Sequence, residues 1–250
     1  MPPQKEDIMK EKLKNDLILL GVCSLYGKIK AEEIAKYLDI NIHKVYRIAR
    51  DLNVVSHLNP QFELTEEQRQ IILGGILGDG SFKKNGSNYY YRETHAIGEK
   101  DYMLWKFRKL YNLTTKRTYD IPARNGANPQ LAIQTVNSPV WQQYVEMPRY
   151  EVINALTELG YAIWMLDDGW ICRKAKACNI SVAGGTLTDE ELMLLIDKGK
   201  ELGLDGHIVG IKEKAITFLR HNNARVREIM YSFFPETLDI VIKKINDLKC

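Results

Sequence analysis

Beyond methionine, this 250-residue chain has only four sulfur atoms, those of Cys23, Cys172, Cys178 and Cys250. None forms a CxxC pair and none has a histidine at zinc-finger spacing. That excludes a disulfide scaffold and a thiolate-ligated zinc module, and it predicts free thiols in a reducing compartment. Uncharged apolar runs of about 18 residues are also missing, so no segment reads as a membrane span. The opening "MPPQKEDIMKEKLKND" lacks the apolar centre of a secretory signal and holds too many acids for a transit peptide. The expected location is therefore the cytoplasm, or an organelle matrix if the gene is organellar. Neither sign of charge prevails: 35 basic against 32 acidic residues leave a formal +3, too little to demand a polyanionic partner by itself.

What the chain does have is apolar mass and an uneven spread of cations. At 45% hydrophobic it can bury one large core or two to three small ones. Residues 81–134 hold ten Lys/Arg against four Asp/Glu, 170–184 hold three against none, and 207–227 hold five against one. Residues 151–169 hold four acids and no base. Positive charge therefore gathers in particular segments.

Residues 1–58 read as a small all-α unit, followed by a linker at 59–65. Ile8, Met9, Leu13, Leu17 and Leu20 recur near a 3.6 period and predict one helix. A second is expected over 31–38 and a third, burying Val45, Ile48 and Leu52, after a short turn. Two short helices joined by a tight turn outline a helix-turn-helix. The third helix would show His43, Lys44, Tyr46, Arg47 and Arg50 to solvent, side chains suited to base edges and phosphates.

Two stretches then repeat one design. "IILGGILGDGSF" runs eight residues without a charge before Asp79, which sits between Gly78 and Gly80. Thr65 and Gln68 form a capping signature for this helix. Gly74 and Gly78, four apart, share one face and predict a closely packed partner. That partner is "YAIWMLDDG", apolar on all sides and ending in Asp167, Asp168 and Gly169, with Ala162 in the interface. The 89-residue separation of Asp79 and Asp168 predicts an internal duplication with two similar halves, 66–150 and 151–250, related by a pseudo-two-fold axis. Each motif precedes a basic strand pair, a helix and a further strand; a terminal helix is expected from about Pro235. Two basic sheets beside paired helices would straddle nucleic acid.

Two helices ending side by side would bring Asp79 and Asp168 together. Such carboxylates repel unless a cation intervenes. Oxygen ligands beside a phosphate favour Mg²⁺, which lowers the pKa of a bound water and stabilises a leaving oxygen. The chemistry this points to is metal-dependent phosphodiester hydrolysis.

"ILGGILGDG" (72–80) and "YAIWMLDDG" (161–169) resemble the two motifs of monomeric LAGLIDADG homing endonucleases, in the branch that pairs LGDGS with MDDG. The resemblance covers about residues 66–245. It implies an α+β fold, the αββαββα saddle in duplicate, here preceded by the helix-turn-helix unit. It implies double-stranded DNA as partner, a monomer, and a double-strand break with short 3′ overhangs. Mg²⁺ is the implied cofactor, with Mn²⁺ or Ca²⁺ substituting for binding. Asp79 and Asp168 match the family's metal-binding acids, with Gly78 and Asp167 beside them, and Asp167 is assigned a structural role. At the end of the second strand, where the branch usually has glutamine, this chain offers His95 in one half and Gly185 in the other. Lys83, Arg173 and Lys174 are candidates for the basic residue that orients the attacking water. The halves are therefore expected to be unequal, with one strand cut faster.

Residues expected to face DNA include Lys84, Tyr89, Tyr91, Arg92, Gln134, Arg173, Lys176, Lys212, Lys214 and Arg220, with about half of each strand turned away by two-residue alternation. Met1 is no splicing nucleophile and His221–Asn222 lies inside the chain, so a free-standing protein encoded in an intron or between genes is expected. The added helical unit would lengthen the DNA footprint or repress its own gene. Two other classes remain open: a DNA-binding regulator that has lost cleavage, and a maturase binding intron RNA.

Overall fold

The computed structural model describes residues 5–26, 30–51, 62–123, 128–172, 179–183, 185–210 and 214–241. Arg173, Lys174, Lys176, Lys212 and the side chain of Arg50 lie outside the described residues. The chain forms two compact units, Met1–Gln61 and Phe62–Cys250.

The first unit holds α1 (Lys5–Leu25), α2 (Ala31–Tyr37) and α3 (Ile42–Asp51). They share a core of Ile18, Val22, Ile34, Ala35, Val45, Ile48 and Ala49. Between α2 and α3 the backbone passes through Asp39 at φ 51°, a left-handed turn that a short polar side chain tolerates. Asn41 caps α3, its Oδ1 accepting from the His43 amide at 2.8 Å. His43, Tyr46 and Arg47 are exposed and Lys44 is half-buried.

In the second unit α4 (Glu66–Leu77) leads into β1 (Gly80–Asn85) and β2 (Asn88–Ala96), then α5 (Lys100–Lys109), β3 (Thr114–Ile121) and β4 (Gln130–Thr135). The short helices α6 (Gln142–Val145) and α7 (Arg149–Asn154) connect to the second copy. This comprises α8 (Glu158–Asp168), β5 (Gly169–Cys172), β6 (Asn179–Ala183), α9 (Asp189–Glu201), β7 (Gly206–Val209), β8 (Ala215–Phe218) and α10 (Asn223–Phe233). Each half has one antiparallel sheet, ordered β1-β2-β4-β3 and β5-β6-β8-β7. The expected capping box at Thr65 forms, the Gln68 amide donating to Thr65 Oγ1 at 3.2 Å, and a second one starts α9, the Glu191 amide donating to Thr188 Oγ1 at 3.2 Å.

Strand register carries the duplication. Gly80 pairs with Glu93 and Phe82 with Tyr91 in the first sheet; Gly169 pairs with Val182 and Ile171 with Ile180 in the second. Every one of these positions is offset by the same 89 residues (169 − 80, 182 − 93). β3 and β7 escaped the residue pattern because "TTKRTYDI" and "GHIV" offer little apolar alternation, as befits edge strands. The helix expected from about Pro235 is preceded by α10, which buries Val226, Ile229 and Met230 at helical spacing.

The helix pair α4 and α8 lies at the centre of the large core. A Cβ added to Gly74 would sit 2.3 Å from the Gly160 carbonyl oxygen and 2.7 Å from Ile163 Cβ; one added to Gly78 would sit 2.5 Å from Asp167 Cβ. Since 74 + 89 is 163 and 78 + 89 is 167, equivalent positions of the two motifs meet across the axis, and the first copy supplies glycine each time. Ala162 is buried in α8, but the closest approaches to Gly74 come from Gly160 and Ile163. Gln70, itself buried, ties the helices at their far end: its amide nitrogen donates to the Ala155 carbonyl and its Oε1 accepts from the Thr157 amide, both at 2.9 Å.

Candidate active site

α4 ends at Leu77 with Gly78 as its C-terminal cap, and the next residue, Asp79, stands on a turn with 40% of its side chain exposed. One ligand atom from each of Asp79, His95 and Asp167 falls within 4.8 Å of the others. Asp168, which the duplication equates with Asp79, is half-buried at the end of α8 and is not part of this three-ligand group among the described residues.

Below Asp79 lies a buried charged network. Alternation along β2 turns Tyr91, Glu93 and His95 toward the helices and Tyr90, Arg92 and Thr94 away. His95 Nε2 lies 2.7 Å from Glu93 Oε1, and its Nδ1 lies 3.0 Å from Glu99 Oε2 and 3.5 Å from Asp79 Oδ2. From α5, the Lys106 ammonium donates to both oxygens of Asp167, at 2.8 and 3.0 Å, and also to Glu93. Tyr102 donates to Asp167 at 2.8 Å and Tyr91 to Glu93 at 2.6 Å.

The electrostatics follow from these contacts. Burial pulls the His95 imidazole toward its neutral form, but its bonds to Glu93 and Glu99 outweigh this and raise it to about 10. Burial pushes Glu93 up, yet Lys106 and His95 bring it down to about 2. In Asp167 burial prevails over the pull of Lys106 and raises the carboxyl to about 7. Asp79 is likewise raised, by burial first, with His95 opposing. With His95 protonated, His95 and Lys106 offset Glu93 and whatever negative charge Asp167 carries. Asp79 and Glu99 then add two negative charges at the rim, a field that favours a divalent cation.

Among the described residues the second half shows no such network at equivalent positions: Val182 stands at the register of Glu93 and Ile180 at that of Tyr91. Glu93, Glu99, Tyr102 and Lys106 were missed in the sequence. The signal was there, since Glu93 shares the buried parity of "YYYRETHA" and Lys106 shares a helix face with Tyr102 and Met103.

On the outward face of the first sheet, register places Lys83, Tyr90, Arg92, Gln130 and Gln134 together. Tyr91 is corrected as a DNA contact: it has no exposed surface, and its ring lies beneath Gly75 and Gly80. Lys84 and Tyr89 sit on the opposite parity, the ammonium 6.0 Å from the ring centre. Lys83 is exposed on the outward face, while the His95 ring is buried beneath Asp79. Lys214 is ion-paired with Asp189, and Arg220 is exposed beyond β8. Gly185 occupies a turn at φ 51° with open space around it. No helix among the described residues is long and apolar enough to cross a membrane.

Paired helices with acids at their ends, flanked by two four-stranded antiparallel sheets in duplicate, define the LAGLIDADG class of DNA endonuclease folds. The LAGLIDADG DNA endonuclease family matches residues 69–226, and the chain belongs to it. Among solved structures, the homing endonuclease I-WcaI bound to its DNA recognition sequence is similar at a TM-score of 0.59 and 20% identity, covering 73% of this chain and 88% of that one. I-DmoI in complex with DNA and Ca matches at a TM-score of 0.44 and 11% identity, over 69% and 92% of the two chains. Among curated sequences, Protein RecA of Mycobacterium gastri is 25% identical over 175 residues, 65% of this chain and 41% of that protein. The chain thus spans about two fifths of that relative's length.

Proposed function

We propose that the protein is a site-specific, divalent-metal-dependent endonuclease that breaks both strands of a long DNA target and leaves short 3′ overhangs. The observation that carries this reading is the meeting of the two motif ends, which gathers Asp79, His95 and Asp167 at the rim of a buried charged network. The carboxylate oxygens suit a hard divalent cation, Mg²⁺ first, with Mn²⁺ or Ca²⁺ able to take its place; the protonated His95 stands beside them and is not itself a ligand. Asp79 and Asp167, whose carboxylate oxygens come within 4.8 Å of each other, are the residues that would hold it, with Asp168 and the Gly78 backbone as further donors proposed from the motif. When bound, such an ion lowers the pKa of a coordinated water and stabilises the leaving oxygen.

The chain's own groups do the positioning. Glu93 fixes the His95 ring through Nε2 and leaves Nδ1 directed at Asp79 and Glu99. As a buried imidazolium, His95 acts through Asp79 by orienting it and does not abstract a proton from substrate. Lys106 fixes Asp167 from below. Lys83, exposed on the outward face, is a cation of the first half available to a phosphate. Because this machinery, among the described residues, surrounds the first motif's end and not the second's, the two strands are cut at unequal rates. In the N-terminal unit, Lys44, Tyr46 and Arg47 on α3 form a second DNA-contacting surface.

The test is cleavage of a randomised duplex library in Mg²⁺, with Asp79→Asn and Asp168→Asn as controls and each strand labelled separately. Recovered sites with 3′ overhangs, absent from both controls, are expected. Sites that are bound but never cut would establish a non-cleaving regulator instead.

A further inference from the structure

We propose that Arg117 is a specificity-determining residue that reads one guanine in the first half-site; this rests on the DNA-binding reading above. β3 is an edge strand of the first sheet, and between Thr114 and Thr118 its register against β4 shifts, residues 115–117 opposing Gln134 alone. Inside this bulge Lys116 takes φ 62°, uncommon for a residue with a side chain, and its amide donates to Thr114 Oγ1 at 3.1 Å. Bulges of this kind re-aim the side chains around them.

What is re-aimed here is Arg117. Tyr119 pairs with Ala132, which pairs with Thr94, so Tyr119 shares the outward face with Arg92 and Gln134. Arg117 lies two residues earlier, its guanidinium carbon 4.9 Å from the Tyr119 ring centre and its Nε donating to the Tyr119 hydroxyl at 3.1 Å. That hydroxyl lies 2.9 Å from Thr115 Oγ1, which in turn donates to the Gln134 carbonyl at 3.5 Å. The guanidinium plane is therefore set by a chain of bonds running back to the central strand. With Nε occupied by Tyr119, the two terminal nitrogens form a coplanar pair of donors. A coplanar pair matches guanine O6 and N7 in the major groove. A phosphate asks only for a nearby charge, which an unanchored lysine supplies equally well. Anchoring Arg117 to Tyr119 has a purpose only if orientation matters.

The experiment is a binding selection in Ca²⁺ from a randomised duplex library, using the full chain, Arg117→Lys and Tyr119→Phe, with affinity for the selected site measured across salt concentrations. Arg117→Lys keeps the charge and loses the fork. It should reduce preference for G at one base pair by about 5- to 150-fold, leaving other positions and the salt slope unchanged. Tyr119→Phe keeps the ring and removes the anchor, and it should weaken the same position to a smaller degree. A uniform fall at all positions, as for a phosphate contact, or no change at any position would overturn the assignment while leaving the endonuclease reading intact. A wild-type chain that enriches no duplex would overturn both.

Discussion

Gly74→Ala tests the helix pair on which the site is mounted. The new methyl would lie 2.3 Å from the Gly160 carbonyl oxygen, 2.7 Å from Ile163 Cβ and 2.9 Å from Ile163 Cγ2. The nearest of these is backbone and cannot rotate away, so α4 and α8 must separate. Restoring ordinary contact at ~3.5 Å requires a movement of about 1 Å. Overpacking of this kind costs about 1–3 kcal/mol, and a fixed neighbour places it at the upper end. Against that, alanine in a helix interior gains about 1 kcal/mol over glycine. The expected net loss is about 1–2 kcal/mol, or about 2–8 °C in thermal midpoint for a unit of this size. Because the same separation displaces Asp167 from Asp79, cleavage should fall by about 100-fold, the scale associated with an ångström of misplacement. Circular-dichroism melting and cleavage of the selected site read the two effects. Gly98→Ala is the control: a Cβ there meets nothing within 4 Å, so stability should hold or rise slightly. A Gly74→Ala protein as stable and as active as wild type would refute the close-packing argument.

Asp79→Asn removes a carboxylate whose ionised form burial already disfavours. Stability should therefore stay within about 0.5 kcal/mol while cleavage is lost, and wild-type cutting rates from this variant would sink the assignment. Lys106→Met takes away the cation shared by Glu93 and Asp167 and should lower unfolding free energy in urea by about 3–5 kcal/mol. A loss below about 1 kcal/mol would show that the network is not held by this ion. In EDTA, His95, raised from 6.5 to about 10 by Glu93 and Glu99 against the opposing effect of burial, contributes stability that is complete below pH 6.5. That contribution disappears as pH rises through 10, so His95→Gln should flatten the alkaline limb of the stability profile relative to wild type; parallel limbs would contradict the protonated ring.

Much of the fold was legible because two rules acted together in the residues. Capping pairs Thr65–Gln68 and Thr188–Glu191 mark where helices start, and apolar runs ending in Asp-Gly mark where the central pair stops. The 89-residue spacing then survives as strand register. The edge strands were not legible, since an edge strand needs no apolar face. Tyr91 misled because three consecutive tyrosines look alike, and only the pairing with Phe82 decides which of them turns inward. Site chemistry was half legible for a similar reason. Asp79 and Asp167 stand in recognisable motifs, but Lys106 lies 61 residues from the carboxylate it neutralises, and helical spacing identifies a buried face without revealing a buried charge.

The axis itself explains why the two motifs differ in sequence. Where a two-fold axis brings equivalent positions into contact, two copies of one side chain would compete for the same space, so an identical repeat must be small at both. A duplicated chain escapes that restriction by making one copy glycine and letting the other carry a side chain. Gly74 faces Ile163 and Gly78 faces Asp167 in this way. The second case matters for chemistry, because the space left by Gly78 admits a carboxylate, and that carboxylate draws Lys106 and Tyr102 into the core of the first half. Once Asp167 depends on α5, the halves are no longer exchangeable. Restoring symmetry with Asp167→Gly would therefore open the contact at Gly78 and also leave Lys106 buried with only Glu93 as its acid partner. The expected outcome is a destabilised first half with an intact second sheet, measurable as hydrogen-exchange protection lost from β2 and α5 before β6 and β8. Uniform loss across both sheets would show that the dependence is not confined to one half.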